Sequence, residues 1–374
     1  MEITVIQVSN NKQQRQFIDF SYSHYKDMPN YVPELFIAQK GLLSDSNPFF
    51  KHSQTAYFMA YKEGKICGRI AAIYNTVHLN IYKDDTGFFG FFESINDKEV
   101  AMALFDAAKD WLANKGLKKI TGPVNITTND SCGILIEGFD KDPAVSMPYN
   151  MPYYDELIKS CGFNGIMDLN SYFLNGKKIR ESFGNALDRV EANLIKQGIV
   201  IRNMKFKNFD DEIAQLRPVY NKTNEHNWGF MPLNEDEFRE MAKQLKMITP
   251  EKFVLIAEKA GEIIGYLVAV PDMNQAFKKL KRGRLFPFGI FKLLWHKRKI
   301  DNSRVIILGV MPEYYNSGLD LLFYQRIKEA VYSEGIMHGE ASYVMESNRK
   351  MNSIMRKIGG VKNKRYRLYE QEFF

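Results

Sequence analysis

The stretch Arg304–Val331, RVIILGVMPEYYNSGLDLLFYQRIKEAV, decides the fold. Val305, Ile306, Ile307, Leu308 and Val310 form a short apolar run rich in β-branched residues, as in a strand covered on both faces. Pro312 ends it. Asn316-Ser317-Gly318 then allows close backbone approach and opens a helix with Leu319, Leu322, Phe323, Ile327 and Val331 on its apolar side. The first N–H groups of such a helix lack intrahelical partners, and its dipole adds partial positive charge, so the turn is a candidate anion site. An ordinary turn containing a single glycine has the same local pattern.

Working outward, Ala341–Met345 is the next expected strand, and Asn348 begins NRKMNSIMRKIGG, a helix with Met351, Ile354, Met355 and Ile358 on one side and Gly359 at its end. Lys362–Phe374 supplies closing strands, with Tyr366, Leu368 and Tyr369 as packing residues. The chain also repeats itself: AYFMAYKEGKICGRIAAI matches KFVLIAEKAGEIIGYLVAV, and the pairs Gly64/Gly261, Gly68/Gly265 and Gly162/Gly359 each lie 197 residues apart. Two halves fit a length of 374 residues.

These segments resemble the GNAT superfamily of acyl-CoA-dependent N-acyltransferases. Leu308, Val310, Pro312, Tyr315, Gly318 and Asp320 fall on its first motif, and Asn348, Met355 and Gly359-Gly360 on its second. Three residues depart from the pattern: Tyr315 stands for Gln or Arg, Asp320 for a small residue, and Met355 for the Tyr that protonates the departing CoA thiolate. Asp320 reads equally as a helix cap. The resemblance implies an α/β (α+β) chain of two tandem GNAT-like domains, each a mixed, mostly antiparallel sheet flanked by helices. The expected domains are 1–175 and 200–374, joined by a connector helix at 176–199 carrying Ile179, Phe183, Leu187, Val190 and Leu194, with a basic and apolar insertion at 271–303 in the second. It also implies an acetyl- or longer acyl-CoA co-substrate bound at Leu308, Val310, Tyr315, Asn316, Ser317, Gly318, Leu319, Asp320 and Asn348, with the acyl group passed directly to an amine.

The halves differ chemically. After the strand GFFGFFE, Asn96 with Glu99 three residues later reads as a capping box, and Asp97 and Glu99 repel a phosphate. The N-terminal half is therefore expected to be a degenerate, structural or substrate-shaping domain; the reverse allocation is the alternative.

For the acceptor, the informative loop is NKTNEHNWGFMP. Glu225 or His226 could deprotonate an ammonium, with Asn227 and Trp228 lining the substrate, although loop residues of these types are commonly solvated. Glu346 ends the second strand of the motif pair, and Tyr343, like Tyr314 and Tyr315, is a candidate to replace the missing Tyr. Asp272 and Asn274 could bind an acceptor or make a turn, and Asn129–Gly133 could border a cleft or form an Asx-type turn. Rival readings are a transferase using acyl carrier protein or aminoacyl-tRNA as donor, and a binding protein without catalysis.

Charge is local. Nine Lys and Arg residues and no acid lie between Phe277 and Lys299, and removing those nine from the net +7 leaves −2. The same segment holds Leu285, Phe286, Phe288, Ile290, Phe291, Leu293, Leu294 and Trp295. It could meet an acidic membrane surface, an acidic acyl carrier protein or CoA phosphates, or simply pack its apolar side on its own domain. Nucleic acid is disfavoured because no helix-turn-helix or zinc pattern accompanies the cations. Cys67, Cys132 and Cys161 are too few and too scattered for a disulfide framework or a metal site, and no leader or membrane-length apolar run is found, so a bacterial cytoplasm is expected.

Overall fold

Two hairpins, 197 residues apart, set the frame. The computed structural model describes residues 2–176 and 186–373. Strands β2 (Gln54–Lys62) and β3 (Lys65–Tyr74) join through Glu63 and Gly64, with φ of 53° and 72°; β9 (Val254–Lys259) and β10 (Glu262–Pro271) join through Ala260 and Gly261, with φ of 51° and 86°. Two consecutive left-handed residues form the tight turn whose twist matches that of antiparallel strands.

The chain forms two compact units. Unit 1 comprises Met1–Leu169, Ala276–Trp295 and Lys364–Phe374, and unit 2 comprises Asn170–Gln275 and His296–Asn363. The insertion core and the C-terminal strand therefore belong to unit 1, not to the second domain expected from chain order. An apolar strand states which face it buries but not whose sheet it completes.

In unit 1 the strand order is β1 (Ile3–Gln7), β2, β3, β4 (Thr86–Ser94), β5 (Lys119–Gly122) and β13 (Val361–Glu372), with β6 (Ile134–Glu137) also paired to β13. The pair β4–β5 is parallel and the other ladders are antiparallel. Helix Lys98–Ala113 covers one face, with Val100, Ala101, Leu104, Phe105, Ala108 and Leu112 buried at helical spacing. Its cap is Asp97, whose carboxylate accepts from the N–H groups of Glu99 and Val100 and pairs with Lys62 at 2.6 Å. The expected Asn96–Glu99 capping box is thus replaced by Asp97, one residue later.

In unit 2 the order is the part of β7 (Asn164–Asn175) from Asn170 on, β12 (His338–Met345), β11 (Asn302–Val310), β10, β9 and β8 (Ile199–Asn203). Here β11–β12 is the parallel pair. Helix Leu319–Tyr332 buries Leu319, Leu322, Phe323, Ile327 and Val331, the residues its periodicity selects. The connector appears as helix Ala186–Lys196 with Leu187 and Leu194 buried, while Ile179 and Phe183 lie outside the described residues. Both units are mixed, mostly antiparallel sheets flanked by helices, as expected.

Candidate functional site

The repeat makes a controlled comparison possible. In unit 1, β3 and β4 pair Gly68 with Ser94 and Arg69 with Glu93; in unit 2, β10 and β11 pair Gly265 with Val310 and Tyr266 with Gly309. The two glycines serve one purpose. A Cβ on Gly68 would come within 2.7 Å of Leu104 on the covering helix, and one on Gly265 within 3.3 Å of Phe323 on its counterpart. The next register step separates the units: unit 1 places a buried Arg opposite a Glu, whereas unit 2 packs the Tyr266 ring on a glycine.

Glu93 sits in a dense polar cluster. Its Oε2 accepts hydrogen bonds from the Tyr25 hydroxyl and from the Tyr154 hydroxyl, the latter at 2.9 Å, and its Oε1 lies 3.5 Å from Arg69 Nη2. Tyr25, Tyr154 and Arg69 are all buried. Burial pushes the Glu93 carboxyl up to about 7, against the opposing pull of Arg69 and the two hydroxyls. Burial, reinforced by Glu93, also holds both tyrosines well above their ordinary range, so they remain donors.

The supports come from distant segments. Tyr154, at the start of helix Tyr154–Ser160, accepts from Ser94 N–H at 3.0 Å, which ties that helix to the end of β4. His24 Nε2 lies within hydrogen-bond distance of the Tyr154 oxygen, at 2.9 Å; burial and then Arg69 lower its pKa to about 4, so the ring is neutral. Arg69 Nη1 donates to Phe17 C=O at 2.7 Å and its guanidinium lies 4.9 Å from the Phe17 ring centroid, while its buried Nε–H has no partner among the described residues.

Beside this cluster is a cavity of about 80 Å³, bordered by Tyr31, Arg69, Glu93, Asn125, Cys132 and Tyr149. It exists because β4 and β5 part company. Their ladder ends at Phe88–Thr121, Val124 N–H bonds Phe89 C=O at 2.8 Å, and Asn125 Oδ1 accepts from Phe91 N–H at 2.9 Å. Gly90 is required at the crossing, since a Cβ there would lie 2.0 Å from the Val124 oxygen. Ser131, Cys132 and Gly133 also line this cavity.

The residues singled out from sequence form no comparable cluster. Glu225 bonds Lys222 at 2.6 Å, which holds its carboxyl below the ordinary range and makes it a weaker base; His226 is 86% exposed in its side chain. Asn227 donates to Asn224 at 2.8 Å, Trp228 is half-buried, and Glu346 is exposed at the end of β12. Tyr343 lies under the Arg304 guanidinium at 5.7 Å. Asp272 accepts from Asn274 N–H and from the Asn302 amide, so both Asp272 and Asn274 serve a turn.

At the turn first read as an anion site, Gly318 has φ 86° and Asn316 φ 65°. Ser317 Oγ accepts from Leu319 N–H at 3.3 Å and Asp320 from Leu321 N–H at 2.9 Å, so two donors of the first turn are satisfied internally. A Cβ on Gly318 would lie 2.7 Å from Val190, which gives this glycine a packing role as well. Asn348 caps helix Arg349–Lys357 by accepting from Met351 N–H, and Met355 is fully buried in the core. The β11–β12 ladder stops at Val305–Ala341, leaving Leu308 half-buried and Val310 buried on the splayed part of β11, and Lys350 Nζ stands 5.0 Å over the exposed Tyr315 ring. Unit 2 also holds an apolar cavity of about 40 Å³ bordered by Phe206, Leu216, Phe238, Met241 and Ile307.

Sequence reasoning missed Arg69, Glu93, Tyr25, Tyr154 and His24. The available signal was Arg69 inside the apolar strand ICGRIAAI, where the repeat has Tyr266.

Tyr154→Phe removes a donor that favours the charged form of Glu93. The acid limb of any activity that uses Glu93 as a base is expected to move to higher pH, and an unmoved limb in the pH–rate profile would discount that bond.

No protein-family model matches the chain. It is 36% identical to protein YghO of Escherichia coli K12 over 97% of this chain and 94% of that protein. It is 31% identical to the bacterial ceramide synthase of Caulobacter vibrioides over 99% of this chain and 97% of that one. Among solved structures, a tandem GNAT protein from the clavulanic acid biosynthesis pathway aligns with TM-score 0.60 at 12% identity, covering 99% of this chain and 98% of its own. A GCN5-related N-acetyltransferase from Sphaerobacter thermophilus aligns at 0.54 and 11%, covering 98% and 95%. The chain adopts the tandem GNAT fold, and it belongs to the protein family that includes YghO and the bacterial ceramide synthase.

Proposed function

We propose that this protein is an N-acyltransferase that joins a fatty acyl thioester to the amine of a long-chain amino alcohol, with its chemistry at Glu93 in unit 1. The observation that carries the reading is Glu93 itself: a carboxyl only 13% exposed, titrating near neutrality, with two tyrosine donors, an Arg and a cavity beside it. The substrate class follows the relative named a bacterial ceramide synthase, since a ceramide is the amide of a long-chain amino alcohol and a fatty acid.

In this mechanism the Glu93 carboxylate takes a proton from the substrate ammonium, and the freed amine attacks the thioester carbonyl. The C–N bond forms and the C–S bond breaks; the proton held by Glu93 passes to the departing thiolate, and the acylated nitrogen releases its second surplus proton to solvent. Arg69, with a buried Nε–H that has no partner among the described residues, supplies positive charge where the carbonyl oxygen becomes negative. Unit 2 lacks these groups, with Tyr266 and Gly309 standing where unit 1 has Arg69 and Glu93. This reverses the allocation expected from the glycine turn.

The donor is a CoA or an acyl carrier protein thioester. Purified protein is expected to form amide, read by mass spectrometry, from a long-chain amino alcohol with palmitoyl-CoA or palmitoyl-acyl carrier protein. Absence of amide with both donors would overturn the reading; product with short amines alone would overturn the substrate class.

A further inference from the structure

We infer that the segment Ala276–Trp295 is a docking surface for an anionic lipid bilayer. It stands on the surface features of unit 1, whatever reaction the protein performs.

The segment is firmly seated. Arg284 makes two hydrogen bonds to the Asp19 carboxylate, at 2.8 and 3.1 Å, and its guanidinium lies 4.2 Å from the Phe36 ring centroid. Lys278 bonds both oxygens of Asp142 at 2.7 Å, and Leu280 is buried. Gly283, at φ 60°, lies so close to the Glu34 backbone that a Cβ would meet its carbonyl oxygen at 1.8 Å. The cavity beside Glu93 is lined in part by Glu34, whose backbone Gly283 meets, and by Pro143, the neighbour of Asp142 in the chain.

So anchored, the segment turns its largest apolar side chains outward. Phe286, Phe288, Phe291, Leu294 and Trp295 are 57–77% exposed. The last three lie at i, i+3 and i+4 on helix Gly289–Lys297 and so share one face. One expectation from sequence, that the insertion's apolar side packs on its own domain, is not met by these five. Around them Lys279, Lys281, Arg282 and Lys292 are exposed, and no acid lies in the segment.

This chemistry selects the bilayer. An acidic protein partner requires the cations but gives no reason to expose five large apolar side chains without acids among them. An interfacial surface needs both, aromatic and aliphatic groups for the acyl boundary and cations for anionic headgroups. No described helix is long and apolar enough to cross a membrane, so the contact is peripheral.

The test is co-sedimentation of the full-length protein with vesicles of phosphatidylcholine alone and of phosphatidylcholine mixed with phosphatidylglycerol. Binding to the anionic vesicles, weakened by salt, is expected. Lys281→Ser with Arg282→Ser should lower the partition coefficient about thirtyfold. Phe291→Ser with Trp295→Ser should abolish binding, and unchanged thermal unfolding will show that the fold is intact. Failure to bind, or binding indifferent to both double variants, would overturn the assignment. Retention on immobilised acyl carrier protein without vesicle binding, or self-association removed by the same variants, would overturn it equally.

Discussion

Glu93→Gln is expected to lower amide formation about a hundredfold or more while making the protein more stable at alkaline pH. The two effects share one cause. Burial raises the Glu93 carboxyl from its ordinary 4.5 to about 7, so the folded state favours the protonated form. That preference stabilises the fold fully at pH values below the ordinary value and is lost as pH rises through about 7. Above it, the ionised carboxylate opposes folding by up to about 3 kcal/mol, and a neutral glutamine has no such penalty. The melting temperatures of variant and wild type should therefore coincide near about pH 4 and diverge by several degrees near about pH 8. A purely structural carboxylate would give the opposite sign, with the variant less stable at every pH.

Asp168→Ala is expected to destabilise the protein by about 3 kcal/mol. Asp168 Oδ1 accepts from Arg367 Nε at 2.6 Å, and Oδ2 accepts from Arg367 Nη2 at 2.8 Å and from Arg365. Burial pushes this carboxyl up, but the hydrogen bonds and charges of Arg367 and Arg365 outweigh it and hold it below the ordinary range. Its contribution is therefore present at neutral pH and lost as pH falls through the lowered value. Truncation leaves two half-buried guanidinium groups facing a void, and the figure lies at the low end of the range because both arginines keep part of their side chains in water. Urea unfolding measures the loss, and hydrogen exchange should place it along β13, where Tyr366, Leu368 and Tyr369 are buried. A loss under about 1 kcal/mol would mean that the network behaves as a surface ion pair.

Much of the fold was legible because its signals are local. The Glu63-Gly64 and Ala260-Gly261 turns, the strand before Pro312 and the helix after Gly318 can each be read within a short window, and the glycine spacing then links the halves. Ownership of strands was not legible. Tyr366, Leu368 and Tyr369 announce a buried strand equally well whichever sheet takes it. The site was hidden for a related reason: Glu93 gains its meaning from Arg69 opposite in register, from Tyr25 and Tyr154 far away in sequence, and from burial. None of these is a property of GFFGFFE alone. The glycine turn drew attention because its chemistry is written in consecutive residues, yet Ser317 and Asp320 use part of it for the helix itself.

The return of residues 364–373 to unit 1 also sets an order of assembly. Most of that unit is translated first, but its sheet lacks β13, including Tyr369–Glu372 opposite β5, until the whole of unit 2 has been made. Domains usually fold one after another as they emerge from the ribosome. Here the earlier-made unit must wait for the later one. Until β13 arrives, β5 presents an unpaired edge and Asp168 lacks both arginines, so the nascent unit carrying Glu93 is the half most in need of protection from wrong partners.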